Sequence, residues 1–152
     1  MKKQGWLVVA WALLAAACGG SGGGLTGPVL GGDGDGSATS QQRLGLTGRW
    51  QLVTLAEAGK PAVSIAEPER FTADFAADGQ LSLRADCNAC GAAYSAQATS
   101  LEVGLMACTL AACPSAPVDT TFAGLVGGAT AWTATADRLE LRSTAGSLSF
   151  RR

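Results

Sequence analysis

Residues 71–84 read Phe-Thr-Ala-Asp-Phe-Ala-Ala-Asp-Gly-Gln-Leu-Ser-Leu-Arg. Phe71, Ala73 and Phe75 alternate with Thr72 and Asp74, and Leu81 and Leu83 alternate with Ser82 and Arg84. Side chains on a strand point to opposite faces in turn, so each half presents one apolar and one polar face. Asp78-Gly79 supplies the turn between them. The stretch reads as a β-hairpin whose connection spans about four residues, with one face against a core.

The same pattern extends outward in both directions. Upstream, Trp50, Leu52 and Thr54 point one way along an apparent first strand. Val53 and Leu55 point the other way, which predicts burial on both sides. Downstream, a glycine-associated turn at Gly91 leads to Tyr94, and Leu101 and Val103 mark a short strand. Asp119 to Val126 reads DTTFAGLV. Asp119 is suited to cap a short helix there, with Phe122, Leu125 and Val126 on one face. The block around Trp132, the pair Leu139 and Leu141, and Leu148 and Phe150 after Gly146 complete the series. Six to eight short strands and one short helix predict a mainly β domain over residues 44–150. The expected form is small and barrel-like, a strongly curled antiparallel sheet. Trp50, Tyr94 and Trp132 are expected in the core or at its edge, and periodicity alone does not order the strands.

The bulk composition suits one small domain: 152 residues, 47% hydrophobic and 15% charged, against a usual charged share of about 25%. The formal charge is −1, and beyond Lys2 and Lys3 the basic residues are scattered apart from Arg151 and Arg152, which argues against a nucleic-acid partner. Histidine is absent. The chain thus lacks the commonest metal ligand and the commonest general base near neutral pH.

The first 17 residues read as a leader. Lys2 and Lys3 precede an uncharged run from Trp6 to Ala17, WLVVAWALLAAA. That run is shorter than the roughly 17 to 25 residues of a membrane-spanning helix. Ala15, Ala16 and Ala17 then lead into Cys18. This is similar to a bacterial lipobox, although Leu14 stands four residues before the cysteine and Ala15 takes the usual leucine place. The resemblance implies diacylglyceryl attachment at Cys18 and cleavage before it. Plain secretion would instead leave an unpaired thiol outside the cytosol. Loss of the leader removes Lys2 and Lys3 and takes the side-chain charge to −3.

Residues 19–40 contain ten glycines and few large side chains. With residues 41–43 they read as a tether, because ordering glycine costs much entropy. Asp33-Gly34-Asp35-Gly36 resembles the start of a calcium loop, but the twelfth position is Leu44 instead of a glutamate.

Four cysteines fall in the domain: Cys87, Cys90, Cys108 and Cys113. An even number in an exported chain points to two disulfides, and four cysteines allow three pairings. Joining Cys87 to Cys90 and Cys108 to Cys113 would close only tiny loops. Either cross-segment pairing restricts the unfolded chain more, by about 3 kcal/mol per bridge. Cys87-Asn88-Ala89-Cys90 has the spacing of a redox motif, but no βαβ pattern surrounds it. A four-thiolate zinc site fits the count but not an oxidising location.

Four blocks in order resemble the META domain, HslJ-like family. Leu46-Thr47-Gly48-Arg49-Trp50 matches its L-x-G-x-W start. Cys87-Asn88 through Gly91 and Tyr94 is similar to its G-C-N-x-x-x-G-x-Y block, with the glycine one place early. Thr109, Ala112, Cys113 and Pro114 match T-x-x-A-C-P, and Leu139 through Gly146, Leu148 and Phe150 match L-x-L…G-x-L-x-F. The resemblance implies a barrel-like β domain with a short helix, carried on bacterial envelope lipoproteins, with no agreed enzymatic activity. Cys90 and Cys108 are additions to the simplest motif and imply an extra bridge. Asp119 stands near a place where the family often has glutamate.

Few residues read as chemistry. Asn88 and Thr109 are expected to satisfy backbone groups near the bridges. A Ser-Lys pair would need Lys60, which sits in a Gly-Lys-Pro loop. The carboxylates Asp74, Asp78, Asp86, Glu102, Asp119, Asp137 and Glu140 show no diagnostic spacing. No cofactor or metal is expected. The leading expectation is a non-catalytic domain of the bacterial envelope, held on a membrane, the outer one, through Cys18. It would bind a protein or small molecule, or help maintain the envelope under stress. Two alternatives are a small-ligand binder using a barrel cavity of about 300 Å³ or more, and a protease-inhibitor-like module with a protruding Ala89 to Ala93 loop.

Overall fold

The computed structural model describes residues 45–115 and 117–152. The leader, Cys18 and the tether lie outside the described residues. The described chain runs through β1 (Gly48–Glu57), β2 (Val63–Ser64), β3 (Phe71–Phe75), β4 (Gln80–Ala85) and β5 (Asn88–Gln97). It continues through β6 (Ser100–Val103), β7 (Ala107–Cys108), helix α1 (Val118–Gly127), β8 (Ala131–Ala134), β9 (Arg138–Ser143) and β10 (Gly146–Arg151).

Eight strands form a closed antiparallel ring in the order β1-β3-β4-β5-β6-β8-β9-β10, and β10 returns to β1. The two-residue strands β2 and β7 attach to β1 and β5 outside that path. Closure leaves few backbone groups of the ring unpaired. The β3–β4 hairpin matches its sequence reading. Ala76 N donates to Gln80 O at 2.8 Å and Gly79 N to Ala76 O at 3.1 Å, with Gly79 at φ +86°. This is a three-residue loop closed by a glycine bulge.

Alternation places Phe71, Ala73, Phe75, Leu81 and Leu83 inside, with Leu139, Leu141, Leu148 and Phe150 opposite. Each large apolar side chain so buried contributes about 1.5–3 kcal/mol. Helix α1 contacts β4, β9 and β10, so it lies across one end of the barrel. Phe122 enters from it, edge-on to Phe71 at 5.9 Å and 6.2 Å from Phe150. Side chains from the strands and from the helix thus meet in one core at that end of the barrel.

The first strand departs from simple alternation. Leu52 pairs with Phe150, yet Thr54 pairs with Ser149, so Val53 is an extra residue in a β-bulge. The bulge changes which parity faces inward. Trp50, Leu52 and Leu55 are all buried, while Thr54 is not. Leu55 thus joins the core beside Leu148 instead of facing away from Trp50.

Trp50 fastens the entry to the barrel. Its Nε1 donates to Leu46 O at 2.7 Å. The Arg152 guanidinium covers its ring at 4.0 Å and donates to the carbonyls of Thr47 (2.7 Å) and Gly45 (3.2 Å).

Candidate functional site

The cysteine block does not turn at Gly91. The turn comes earlier: Ala85 pairs with Asn88, and Asp86 takes the left-handed conformation at φ 59°. Aspartate tolerates that region better than most residues. Gly91 lies inside β5, opposite Ser82 on one side and Ala107 on the other. Ala89 to Ala93 is consequently paired strand and does not protrude as an inhibitory loop would.

Cys87 bonds Cys113 and Cys90 bonds Cys108, one of the two cross-segment pairings. The bridges tie residues 104–113 to the start of β5. Cys90 and Cys108 also face each other in the β5–β7 ladder. Between the bridges, Asn88 acts as a clamp. Its Oδ1 accepts from Ala111 N at 2.8 Å and from Thr109 Oγ1 at 3.0 Å. Its Nδ2 donates to Ala111 O at 3.0 Å and to Asp119 Oδ2 at 3.2 Å, and lies 3.1 Å from Cys113 Sγ. Thr109 Oγ1 accepts from Ala89 N at 3.0 Å. Both residues therefore satisfy backbone as expected. Pro114 follows in an exposed turn.

Asp119 does not cap the helix. Pro117 occupies the cap position and no side chain completes it. Asp119 instead sits in the first turn, buried, with no hydrogen-bond partner for its Oδ1 among the described residues. Asp86 is also buried, but it is paired with Arg70 and accepts from Ser115 N at 3.0 Å. Burial acts to raise its pKa, but the Ser115 amide, the Ser115 side chain and the Arg70 cation prevail and hold it below the ordinary carboxylate value.

The other carboxylates disperse over the surface. Asp74 pairs with Arg49, Glu140 with Arg142, and Lys60 with Glu57. Asp78 and Asp137 hold turns through Gln80 N and the Thr135 hydroxyl. Among the described residues no three His, Cys, Asp or Glu side chains gather as metal ligands. No helix among them is long and apolar enough to cross a membrane. Tyr94 sits at the core edge, its ring 5.0 Å from Phe75 and its hydroxyl donating to Ala76 O at 2.7 Å. Trp132 is buried.

Two residues outside the sequence-level candidates stand out. Leu105 and Leu110 are 98% and 91% exposed. They belong to the braced segment, within an uncharged run from Gly104 to Val118. That run was the available signal, though an uncharged stretch does not itself reveal which leucines face water. Beside Leu110 lies a hollow of about 210 Å³, lined also by Asn88, the Cys90–Cys108 pair, Thr109, Asp119 and Ala123. A separate groove of about 560 Å³ runs over the outside of β8, β9 and β10, near Thr133, Glu140 and Ser149.

The META domain model matches residues 42–152, most of the chain. This protein belongs to the META domain family. No curated protein matches it in sequence. A protein from Burkholderia xenovorans, solved by NMR, shares 18% identity over 84% of this chain and 94% of its own, with a TM-score of 0.57. A crystal structure of a duf4847 family protein from Bacteroides vulgatus shares 12% identity over 73% of this chain and 96% of its own, with a TM-score of 0.52. At those identities the likeness concerns the fold. The META blocks acquire physical roles here. Trp50 seats the barrel entry, Asn88 and Thr109 hold the braced segment, and Tyr94 supports Phe75.

Proposed function

We propose that this META domain is a non-catalytic docking module of the bacterial envelope, tethered through lipid on Cys18. Its docking surface is the disulfide-braced segment from Gly104 to Cys113. The observation that carries the reading is the near-complete exposure of Leu105 and Leu110 on that segment. Burying one leucine against a partner is worth about 1.5–3 kcal/mol. Cross-bracing lowers the entropy that such a segment loses on binding. The lipobox-like leader supports the envelope location, and the scatter of the surface carboxylates, several of them in ion pairs, supports a role other than catalysis.

A photoreactive phenylalanine analogue placed at Leu105 or Leu110 in cells tests the surface. Both positions should yield discrete cross-linked products, and Ser82 on the exposed side of β4 should not. Equal products at Ser82, or none at either leucine, would refute the docking reading. Replacing Cys18 by serine should release the protein from the membrane fraction. Retention there would refute the anchor.

A further inference from the structure

The groove over the outside of β8, β9 and β10 gathers basic residues that the sequence keeps apart. Arg138 opens β9, Arg151 closes β10, and the two are direct partners in the β9–β10 ladder. Arg152 N donates to Asp137 O at 3.2 Å, so the next pair along, Arg138 with Arg151, is a non-hydrogen-bonded one. Side chains stand closest at such positions, and like charges set opposite each other there are destabilising. Among the described residues neither guanidinium has an ion-pair partner. The other ladder neighbour of Arg151 is the uncharged Gln51. Glu140, two residues from Arg138 on the same outer face, is held by Arg142 through bonds of 3.0 and 2.9 Å. Asp137 lines the groove too, with its Oδ1 accepting from the Thr135 hydroxyl at 3.0 Å. Arg152 adds a third cation at this end, although its Nη2 is committed to the Thr47 and Gly45 carbonyls. With Glu140 offset by Arg142, three arginines outweigh the one acid left, Asp137. We infer that this groove binds a phosphate monoester, gripped between Arg138 and Arg151.

The pairing of two arginines selects the anion. A guanidinium presents a planar fork of N–H donors that matches two oxygens of an anion. One fork saturates a carboxylate, which has only two oxygens. A phosphate monoester has three terminal oxygens and close to two negative charges at neutral pH, so it can take both forks at once. Such an anion also offsets the repulsion between the two cations. Beyond the arginines the floor is small and polar. Thr133 and Ser149 flank Glu140 in the ladders and bring hydroxyls to the same space. Its volume of about 560 Å³ accommodates a sugar-sized carrier of the phosphate. The phosphate can sit on a lipid headgroup or on a free phosphorylated sugar. The groove is built from other strands than the braced segment, so this inference goes beyond the docking reading and neither depends on the other.

The test titrates glucose 6-phosphate, glucuronate and glucose into the full-length ¹⁵N-labelled chain. Amide shifts of Thr133, Arg138, Ser149 and Arg151 should saturate with glucose 6-phosphate at roughly tenfold lower concentration than with glucuronate, the factor given by one further charge-assisted fork. Glucose should not move them. Arg138→Gln and Arg151→Gln, both at exposed strand positions, should each weaken phosphate binding roughly tenfold. Each should also melt no lower than the wild type, because it removes the like-charge pair, and this separates lost binding from lost structure. Arg84→Gln, exposed on β4, should leave binding unchanged. Equal binding of glucose 6-phosphate and either control sugar overturns the site. So does full affinity in the double variant of Arg138 and Arg151, or an equal loss in Arg84→Gln. Dihexanoyl phosphatidate separates the sources. Tighter binding than glucose 6-phosphate assigns the site to a lipid headgroup, and weaker binding assigns it to a phosphorylated sugar.

Discussion

Asn88 on β5 and Ala111 in the braced segment exchange two hydrogen bonds, Oδ1 accepting at 2.8 Å and Nδ2 donating at 3.0 Å. One side chain thus replaces the ladder partner that β7, only two residues long, does not provide. Asn88→Ala strands both backbone groups. It should lower stability by about 1–3 kcal/mol and speed amide exchange at Ala111. Denaturant unfolding and hydrogen exchange check both. Unchanged exchange at Ala111 would show that the disulfides alone hold the segment.

The two bridges enclose 26 and 18 residues of sequence separation. In the chain-entropy picture each contributes about 3 kcal/mol, slightly more for the longer loop. Replacing Cys87 and Cys113 by alanine should lower the melting temperature at least as much as replacing Cys90 and Cys108. Calorimetry of the two double variants checks the order.

Glycine has very different importance at two turns. A Cβ on Gly146 would come within 2.1 Å of Ala56 O, at the β1–β10 closure, where φ is +154°. Gly59 also has positive φ, +76°, but no atom lies within 4 Å of its Cβ position. Gly59→Ala should cost about 1–2 kcal/mol from backbone conformation alone. Gly146→Ala should cost clearly more, because β1 and β10 must separate. The reverse case is Ala98, left-handed at φ 49°. Ala98→Gly should raise stability by up to about 1 kcal/mol. Urea unfolding of the three variants tests the set.

Asp86 makes stability depend on acid. Its pKa is depressed in the folded state, so its ionisation supports the fold above its unfolded value, near pH 4. That support is lost as pH falls through the lower folded value. Glu140, held low by Arg142, acts in the same direction from the surface. Unfolding free energy should therefore drop below about pH 4, and the drop should be shallower in Asp86→Asn. An unchanged slope in that variant would place the acid sensitivity elsewhere.

Local regularity was legible, and long-range pairing was not. The hairpin at residues 71–84 carries its alternation and its turn within one short window, so its register could be read directly. The bulge at Val53 is different, because it depends on Leu52 and Thr54 finding Phe150 and Ser149 almost a hundred residues away. Gly91 attracted a turn assignment that belongs to Asp86, since glycine marks turns more loudly than aspartate does. Asp119 looked like a cap because its side chain suits one, but Pro117 takes that position. The hollow drew its walls from β4, β5, the braced segment and α1, and no sequence window contains all four.

The ring of strands is joined unevenly. Between β6 and β8 the paired register is a single position, Ser100 with Ala131, supported by Leu101 N to Thr130 O and Trp132 N to Thr99 O. The wall has one narrow join, and everything from Gly104 to Thr130 leaves and returns through it. Thermal breathing should start there. Both disulfides hold the excursion to β5, so opening there parts β6 from β8 while the β3–β4–β5 and β9–β10–β1 sectors remain zipped, giving the domain two tiers of rigidity.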